Sequence, residues 1–329
     1  MKKAELVRAT LRRFPHVPKK TLAKYLITQY PTLFVNKDGQ TDVENARDSI
    51  RYYTKAKGMP HAKSLSDENY CPHEAKFPPS IMPKRTPYIM KPGLWLVMAD
   101  AHVPFHDVKA LECVIEYGQT QKVNGLFLNG DIQDCEAVGF WPVIGKRDFN
   151  LEVELTIDFL DFLRNEFKGK PIIWKPGNHE DRLKRYYTNN APQLANLPEA
   201  EMEMILSLES RNIEFLGYKQ KVLFGKLPVL HGHELRGGNA NLVNPARWLF
   251  LKAKTIAMCS HFHRVSKHEE RTLNKKDIVT WTTGCLCSLE PDYNPEANNW
   301  THGFSLINLE SNGEFEVENR RILENGKII

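Results

Sequence analysis

The chain has no run approaching the roughly 18 consecutive apolar residues that a bilayer-spanning helix needs, so no membrane association is expected. It also lacks the apolar segment of a secretory signal: the start, Met1 to Arg8, is basic and polar residues return at Arg12 and Arg13. Cysteine is sparse. The six at positions 71, 113, 135, 259, 285 and 287 form no CxxC pair and fall short of the density of a small secreted domain, which suits free thiols in a reducing cytoplasm. No internal repeat is visible. With 329 residues and an ordinary apolar fraction of 41%, a globular protein of about two domains is expected.

Charge is present in both signs but unevenly placed. The net charge is +5 overall, yet residues 1–60 hold 13 Lys and Arg against 5 Asp and Glu, so about +8, and the remainder is about −3. The amino-terminal piece is therefore the part that would attract a polyanion. Its pattern predicts three short helices. Leu6, Ala9, Leu11 and Phe14 make a first stripe, and Leu22, Leu26 and Tyr30 a second that starts near Thr21 and stops at Pro31. A third begins at Thr41 or Asp42, where Thr41-Asp42-Val43-Glu44 has capping-box spacing. That third helix carries Arg47, Arg51, Tyr52, Tyr53, Lys55 and Lys57. Small basic three-helix units include DNA-binding helix-turn-helix modules, and a solvated basic helix packed on a larger domain is the other reading.

Residues 59–92 are rich in proline and aperiodic, as an extended linker would be. From residue 93 the texture changes. Apolar runs at Leu94–Ala99, Leu126–Leu128 and Ile172–Trp174 alternate with helical stretches near 108–121 and 151–167, a βαβαβ pattern of strands buried on both faces. Further strands are expected at 213–218, 221–224, 228–231 and 255–260, with a helix near 245–254. Alternating segments at Asp277–Thr283, Phe304–Leu309 and Phe315–Glu318 read as antiparallel strands. The expected fold class is α/β, two sheets packed as a β-sandwich and flanked by helices, with a small all-α domain at residues 1–58.

Five segments place metal-ligand residue types just after an apolar, strand-like run: Asp100-Ala101-His102, Gly130-Asp131, Gly177-Asn178-His179-Glu180, His231-Gly232-His233 and His261-Phe262-His263. Loops at the carboxyl ends of buried strands are where α/β folds gather their chemistry. Mixed oxygen and nitrogen donors suit a pair of divalent metals, which neutralise phosphate oxygens and activate water. Any one of these histidines alone would more often be structural; five segments in order point to a dinuclear centre.

The series DxH, GDxxD, GNHE, HGH and xHxH resembles the calcineurin-like metallophosphoesterase superfamily over roughly residues 92–310. The resemblance implies a two-sheet sandwich with two metals at its edge. Asp100, His102 and His263 would hold the first metal, and Asn178, His231 and His261 the second, with Asp131 bridging. His179 would be the general acid or stabilise the transferring group as a metal-bridging hydroxide attacks in line. Manganese, iron, zinc, nickel and cobalt are all used by family members, and manganese is the expected pair here. Two departures stand out. Ser260 replaces the glycine of the usual GHxH, a change small enough for the turn to survive. Cys135-Glu136 stands where the Ser/Thr protein phosphatase branch has Arg-Gly, which argues against that branch. The Asp100–His106 and Trp300–Phe304 stretches resemble uncharacterised phage-encoded members.

Several residues keep two readings. His233 is the alternative to His231, and His106 either reaches the site or lies in a surface loop. Asp134 orients a ligand imidazole or is a solvated acid. Arg182 opens a helix where it would help bind phosphate, or, with Lys184, lies on an exposed basic helix. Glu180 and Asp181 read as first-turn carboxylates favoured by the helix dipole. Arg247 reads as structural, and Cys259, Cys285 and Cys287 as inert core thiols. The expected function is a dinuclear-metal phosphoesterase, a phosphodiesterase or nuclease brought to nucleic acid by residues 1–58. A phosphomonoesterase and a non-catalytic scaffold are the alternatives.

Overall fold

Alternate residues of one six-residue strand face two different cores, and this organises the larger part of the molecule. In strand β2 (Gly93–Met98), Trp95 and Val97 point into one apolar cluster while Leu96 and Met98 point into another. The computed structural model describes residues 2–54, 82, 85–140, 148–235, 243–292, 296 and 298–329, and the chain divides into units 1–83 and 84–329. Most of the expected linker lies outside the described residues. Its last part does not: Tyr88–Ile89 forms β1, paired with a strand of the larger unit.

In residues 84–329 there are two six-stranded mixed sheets. The first runs in the order β12 (Phe315–Arg321), β11 (Gly303–Leu309), β2, β3 (Gly125–Leu128), β4 (Ile172–Trp174), β5 (Ile213–Phe215). Its β2, β3, β4 and β5 are parallel, with Trp95 opposite Gly125 and Leu126 opposite Ile172, and β11 closes against β2 antiparallel. The second sheet runs β1, β6 (Val222–Phe224), β7 (Leu227–Val229), β8 (Ala257–Cys259), β10 (Asp277–Thr282), β9 (Ser266–Arg271). Between the sheets lie Trp95, Val97, Phe127, Ile173, Val229 and Met258. The outer face of the first sheet is covered by helices Val108–Thr120 (α4) and Phe149–Glu166 (α5). That of the second is covered by Pro245–Ala253 (α8), through Leu249. The helices start where side chains satisfy free N–H groups: Asp107 accepts from Ala110 N at 2.8 Å, and Asn244 from Arg247 N at 2.9 Å. Asp181–Asn190 (α6) and the short Met202–Ile205 (α7) lie between β4 and β5. The sandwich flanked by helices agrees with the expected class. Strand β9 was not anticipated, because Ser-Lys-His-Glu-Glu-Arg has no apolar alternation; it is a solvated edge strand held by pairing with β10.

Residues 2–54 form helices α1 (Lys3–Arg13), α2 (Lys19–Gln29) and α3 (Val43–Thr54) around Leu6, Val7, Leu11, Leu22, Leu26 and Ile50. Two expected details differ. Ala9 is exposed, and Val7 takes its place in the core. The acceptor that starts α3 is Asp42, bonded by Glu44 N at 2.8 Å, while Glu44 turns to Arg47 rather than closing a capping box.

Candidate metal centre

Each candidate ligand follows a strand end. Asp100 and His102 come after β2, Asp131 after β3, Asn178 and His179 after β4, His231 after β7, and His261 and His263 after β8. The loops are stitched together by backbone bonds, including Asp100 N to Gly130 O at 3.0 Å, His102 N to Asp131 O at 3.0 Å and Ser260 N to His231 O at 2.7 Å. Asp100, His102, Asp131, His261 and His263 all have positive φ, between 50° and 73°. Each costs about 1 kcal/mol or more, and strain of this kind collects where function fixes the backbone. The glycines leave room for it: a Cβ on Gly177 would lie 2.2 Å from Asp131 Oδ1, and one on Gly130 2.4 Å from His231 Nδ1.

Six of the seven predicted donors are brought together, and the seventh, Asn178, has its Oδ1 buried without a partner. Asp131 belongs to two tight groups, one with His102 and His179 and one with His231 and His261, and in each the ligand atoms lie within 4.8 Å of one another. His263 Nε2 is 3.2 Å from His102 Nε2 and 3.4 Å from Asp100 Oδ1. Asp100 Oδ2 accepts from His261 N at 3.0 Å. Asn178 sits one residue before the His179 N–H that Asp131 Oδ1 accepts at 2.9 Å.

The hydrogen bonds fix which nitrogens carry protons. His231 Nδ1 lies 2.7 Å from the Asn129 carbonyl, an acceptor only, so Nδ1 donates. Its Nε2 faces Asp131 Oδ2, 3.1 Å away, so a cation, proton or metal, belongs between them. His102 Nδ1 donates to Asp134 Oδ2 at 2.8 Å, which turns its Nε2 lone pair toward His263. Lone pairs facing lone pairs or carboxylates need a cation between them. Asp100 Oδ1, Asn178 Oδ1 and His231 Nε2 are buried without any hydrogen-bond partner, as donors to a metal would be. The donor set therefore fits divalent ions.

Electrostatics agree. Burial opposes ionisation of Asp131, yet the neighbouring His231 and His179 hold its carboxyl well below the usual range. Burial and the charge of His231 push His261 down to about 3. Burial also works against charge on His231, but Asp131 outweighs it and pushes His231 up to about 10, so a proton occupies a place suited to a metal.

The residues around the donors take definite places. Asp134 is not a solvated acid: it takes His102 Nδ1 and Arg182 Nη1, the latter at 3.0 Å. Arg182 also donates from Nη2 to His179 Nε2 at 2.9 Å, while His179 Nδ1 donates to the Asp134 carbonyl at 2.9 Å. His233 is half-buried beside His231, outside the tight groups, and burial pushes it down to about 4. The His106 ring faces Phe159. Ser260 keeps the turn, its hydroxyl accepting from Asn129 Nδ2 at 2.8 Å.

Three features escaped the sequence. Glu180 is not a helix-dipole acid on the surface; it is wholly buried and accepts four backbone N–H groups, those of Gly177, Asp131, Ile132 and Gln133. Glu234 accepts from Gly232 N at 2.7 Å and pairs with the wholly buried Lys175, tying the His231 loop to the end of β4. Cys287 is not a remote core thiol: its Sγ lies 3.9 Å from His263 Nδ1, and it groups with His102 and His263. Only Lys175, a charge placed directly after the apolar run Ile172–Trp174, offered a signal.

The calcineurin-like phosphoesterase profile matches residues 95–297. The Gene 54 protein of Mycobacterium phage L5 is 27% identical over 233 residues, covering 65% of this chain and 88% of that protein. Among solved structures, the E. coli phosphoesterase Yfce aligns with 15% identity and a TM-score of 0.34, over 72% of this chain and 96% of that one. A dimetal phosphatase from Danio rerio aligns with 10% identity and a TM-score of 0.36, over 70% and 96%.

Proposed function

The chain belongs to the calcineurin-like phosphoesterase family, metal-dependent hydrolases, and from that premise we propose that it cleaves phosphodiester bonds of nucleic acid. The observation that carries the reading is the shared position of Asp131 between the His102 side and the His231–His261 side. We assign Asp100, His102 and His263 to one divalent ion and Asn178, His231 and His261 to the other, with Asp131 common to both. Manganese suits these oxygen and imidazole donors. Two such ions supply charge neutralisation of the phosphate and a water of lowered pKa.

The chain's own groups do the rest. Asp134 orients His102 and anchors Arg182. With Arg182 donating to its Nε2, His179 carries its proton on Nδ1 and stabilises the transferring group through Arg182. A phosphodiester offers Arg182 a better acceptor, and once Arg182 turns to it, His179 Nε2 is free to take up a proton from solvent and pass it to the leaving oxygen, returning to the neutral imidazole. The charge of about +8 on residues 1–60 supports a polyanionic substrate, and the free thiols together with the phage relative favour the cytoplasm of a bacterial host.

The test compares manganese-loaded protein on bis-p-nitrophenyl phosphate, p-nitrophenyl phosphate, and single- and double-stranded DNA and RNA. Cleavage of the diester and of at least one nucleic acid is expected, with His179→Ala lower in kcat by about 10²–10⁴-fold. Turnover of the monoester alone would reassign the enzyme as a phosphomonoesterase. Equal inertness of wild type and His179→Ala with every metal would make it a scaffold.

A further inference from the structure

We propose that the corner between α1 and α2, and not helix α3, is the surface that grips the nucleic-acid backbone; this rests on the reading of a nucleic-acid substrate. The basic residues of α3 made it the natural candidate for a groove-reading helix. Lys55 and Lys57, expected on the same helix, lie outside the described residues, and the structure neutralises the other two. Arg47 pairs with Glu44, and Arg51 pairs with Asp48 at 2.7 Å and lies 3.6 Å from Glu44. The groove between α1 and α3 is lined by Asp42, Glu44 and Asp48, which repel phosphate. The cations on that side are also engaged: Lys3 bonds Asn45 and lies over Phe34, and Arg8 lies over Tyr53.

The opposite corner is different. Arg12, Arg13, Lys19, Lys20 and Lys24 are all exposed, and residues 12–24 contain no Asp or Glu. None of the five has an ion-pair partner among the described residues. Lys20 and Lys24 are four apart on one face of α2, where like charges repel. Lys19 and Lys20 also sit in the first turn of α2, at the positive end of the helix dipole, with no acid nearby to compensate. A local conflict of this kind, kept without a structural gain, marks a surface shaped by what it binds. Five exposed cations without an acidic partner among the described residues, of which only Arg13 lies over a ring, that of Phe14, fit a run of phosphates, contacted without reading bases. Membrane headgroups offer a similar charge. The residues exposed between the cations, Pro15, His16, Pro18 and Thr21, include no large apolar side chain to enter a bilayer, so nucleic acid is favoured.

The experiment uses the full chain and measures affinity for a fluorescent DNA or RNA oligonucleotide across a salt series, by anisotropy, in three proteins: wild type, Arg12→Gln/Arg13→Gln/Lys19→Gln/Lys20→Gln/Lys24→Gln, and Arg47→Gln/Arg51→Gln. Each phosphate contact adds about 0.9 to the slope of log affinity against log salt on duplex DNA and about 0.7 on single strands. The corner variant should lose up to about 4 in slope and at least about tenfold in affinity at 0.1 M salt, and the α3 variant should match wild type. A charge-keeping variant, Arg12→Lys/Arg13→Lys, should retain the wild-type slope. Equal slopes in wild type and corner variant, or an equal loss in the α3 variant, overturns the proposal. So does corner-dependent binding to phosphatidylserine vesicles with none to nucleic acid. Nucleic-acid turnover by wild type separates the two claims: cleavage without a corner effect sinks only the surface, and a corner effect without cleavage sinks only the substrate reading.

Discussion

Replacing Glu180 by glutamine tests whether that carboxylate is the strut that holds Asp131. Oε1 accepts from Ile132 N at 2.7 Å and Gln133 N at 3.2 Å, and Oε2 from Gly177 N at 2.7 Å and Asp131 N at 3.0 Å. In the amide, an NH₂ group replaces one oxygen and faces two N–H donors, so two charge-assisted bonds of about 1.5–3 kcal/mol each are lost. Part of this is offset, because burial and the Asp131 charge already press Glu180 toward its neutral form. A net loss of about 2–4 kcal/mol is expected. With an m-value of about 2–3 kcal/mol/M, the urea midpoint should fall by about 1–2 M. All six tryptophans lie in residues 84–329, so their fluorescence follows the unit in question. Asp181→Asn is the control. If Glu180 were only a first-turn acid facing a helix dipole, both substitutions would cost about 0.3–1 kcal/mol. A Glu180→Gln midpoint within about 0.3 M of wild type, or equal shifts in the two variants, would refute the strut. Manganese binding by calorimetry should weaken in Glu180→Gln alone.

Glu152 is buried with one carboxylate oxygen unpartnered, and burial, with Asp134 adding, pushes it up to about 7. A raised acid contributes stability that is full below its unfolded value near 4.5 and lost as pH rises through 7, so Glu152→Gln should gain about 1–2 kcal/mol at pH 8 relative to its effect at pH 4, after discounting for solvent screening. A flat difference across urea titrations at pH 4, 6 and 8 counts against it. Lys175→Met leaves Glu234 charged and unpaired in the interior and should cost about 3–5 kcal/mol, with Glu234→Gln added in the double variant recovering part of the loss; a cost under about 1 kcal/mol would show the pair to be incidental. Gly177→Ala drives a Cβ to 2.2 Å from Asp131 Oδ1 and 2.7 Å from its backbone N, so calorimetry should register fewer than two manganese ions per chain, and undiminished stoichiometry would show that Asp131 can yield without losing its shared role.

The loops that carry the site were legible because each follows a strand buried on both faces. Leu94–Ala99, Leu126–Leu128 and Ile172–Trp174 announce their strands by unbroken apolar residues, and the polar residue types come directly after. What escaped was set by partners distant in sequence. Ser266–Arg271 becomes a strand through its ladder with β10, although its composition is that of a surface loop. Glu180 looks like any acid at a helix start, and only the fold brings the amides of residues 131–133 around it. The basic residues of α3 promised a groove-binding helix, but Glu44 and Asp48 sit three residues before Arg47 and Arg51 and spend their charge. That spacing was readable, and the net charge of the segment concealed it.

The site is divided between the two sheets, and this makes its geometry a property of the core beneath it. Asp100, His102, Asp131 and Asn178 extend from the first sheet, and His231, His261 and His263 from the second. The gap they span is set by the side chains between the sheets, Val97, Phe127, Val229 and Met258 among them, all wholly buried. Close-packed interiors transmit small changes of volume instead of absorbing them. Besides the bonds of His231 to Asn129 and of His261 to Asp100, further ties cross the gap near the site itself. Asn129, on the first sheet, donates to Leu230 O and Ser260 Oγ, each at 2.8 Å, and Lys175 reaches Glu234. Serine at 260 thus supplies a cross-sheet acceptor that the glycine of the usual motif lacks, placed next to His261. The strained loops, the missing Cβ atoms and these ties serve one end: they hold unpartnered lone pairs face to face, an arrangement that folding alone disfavours and that cations between the sheets would relieve.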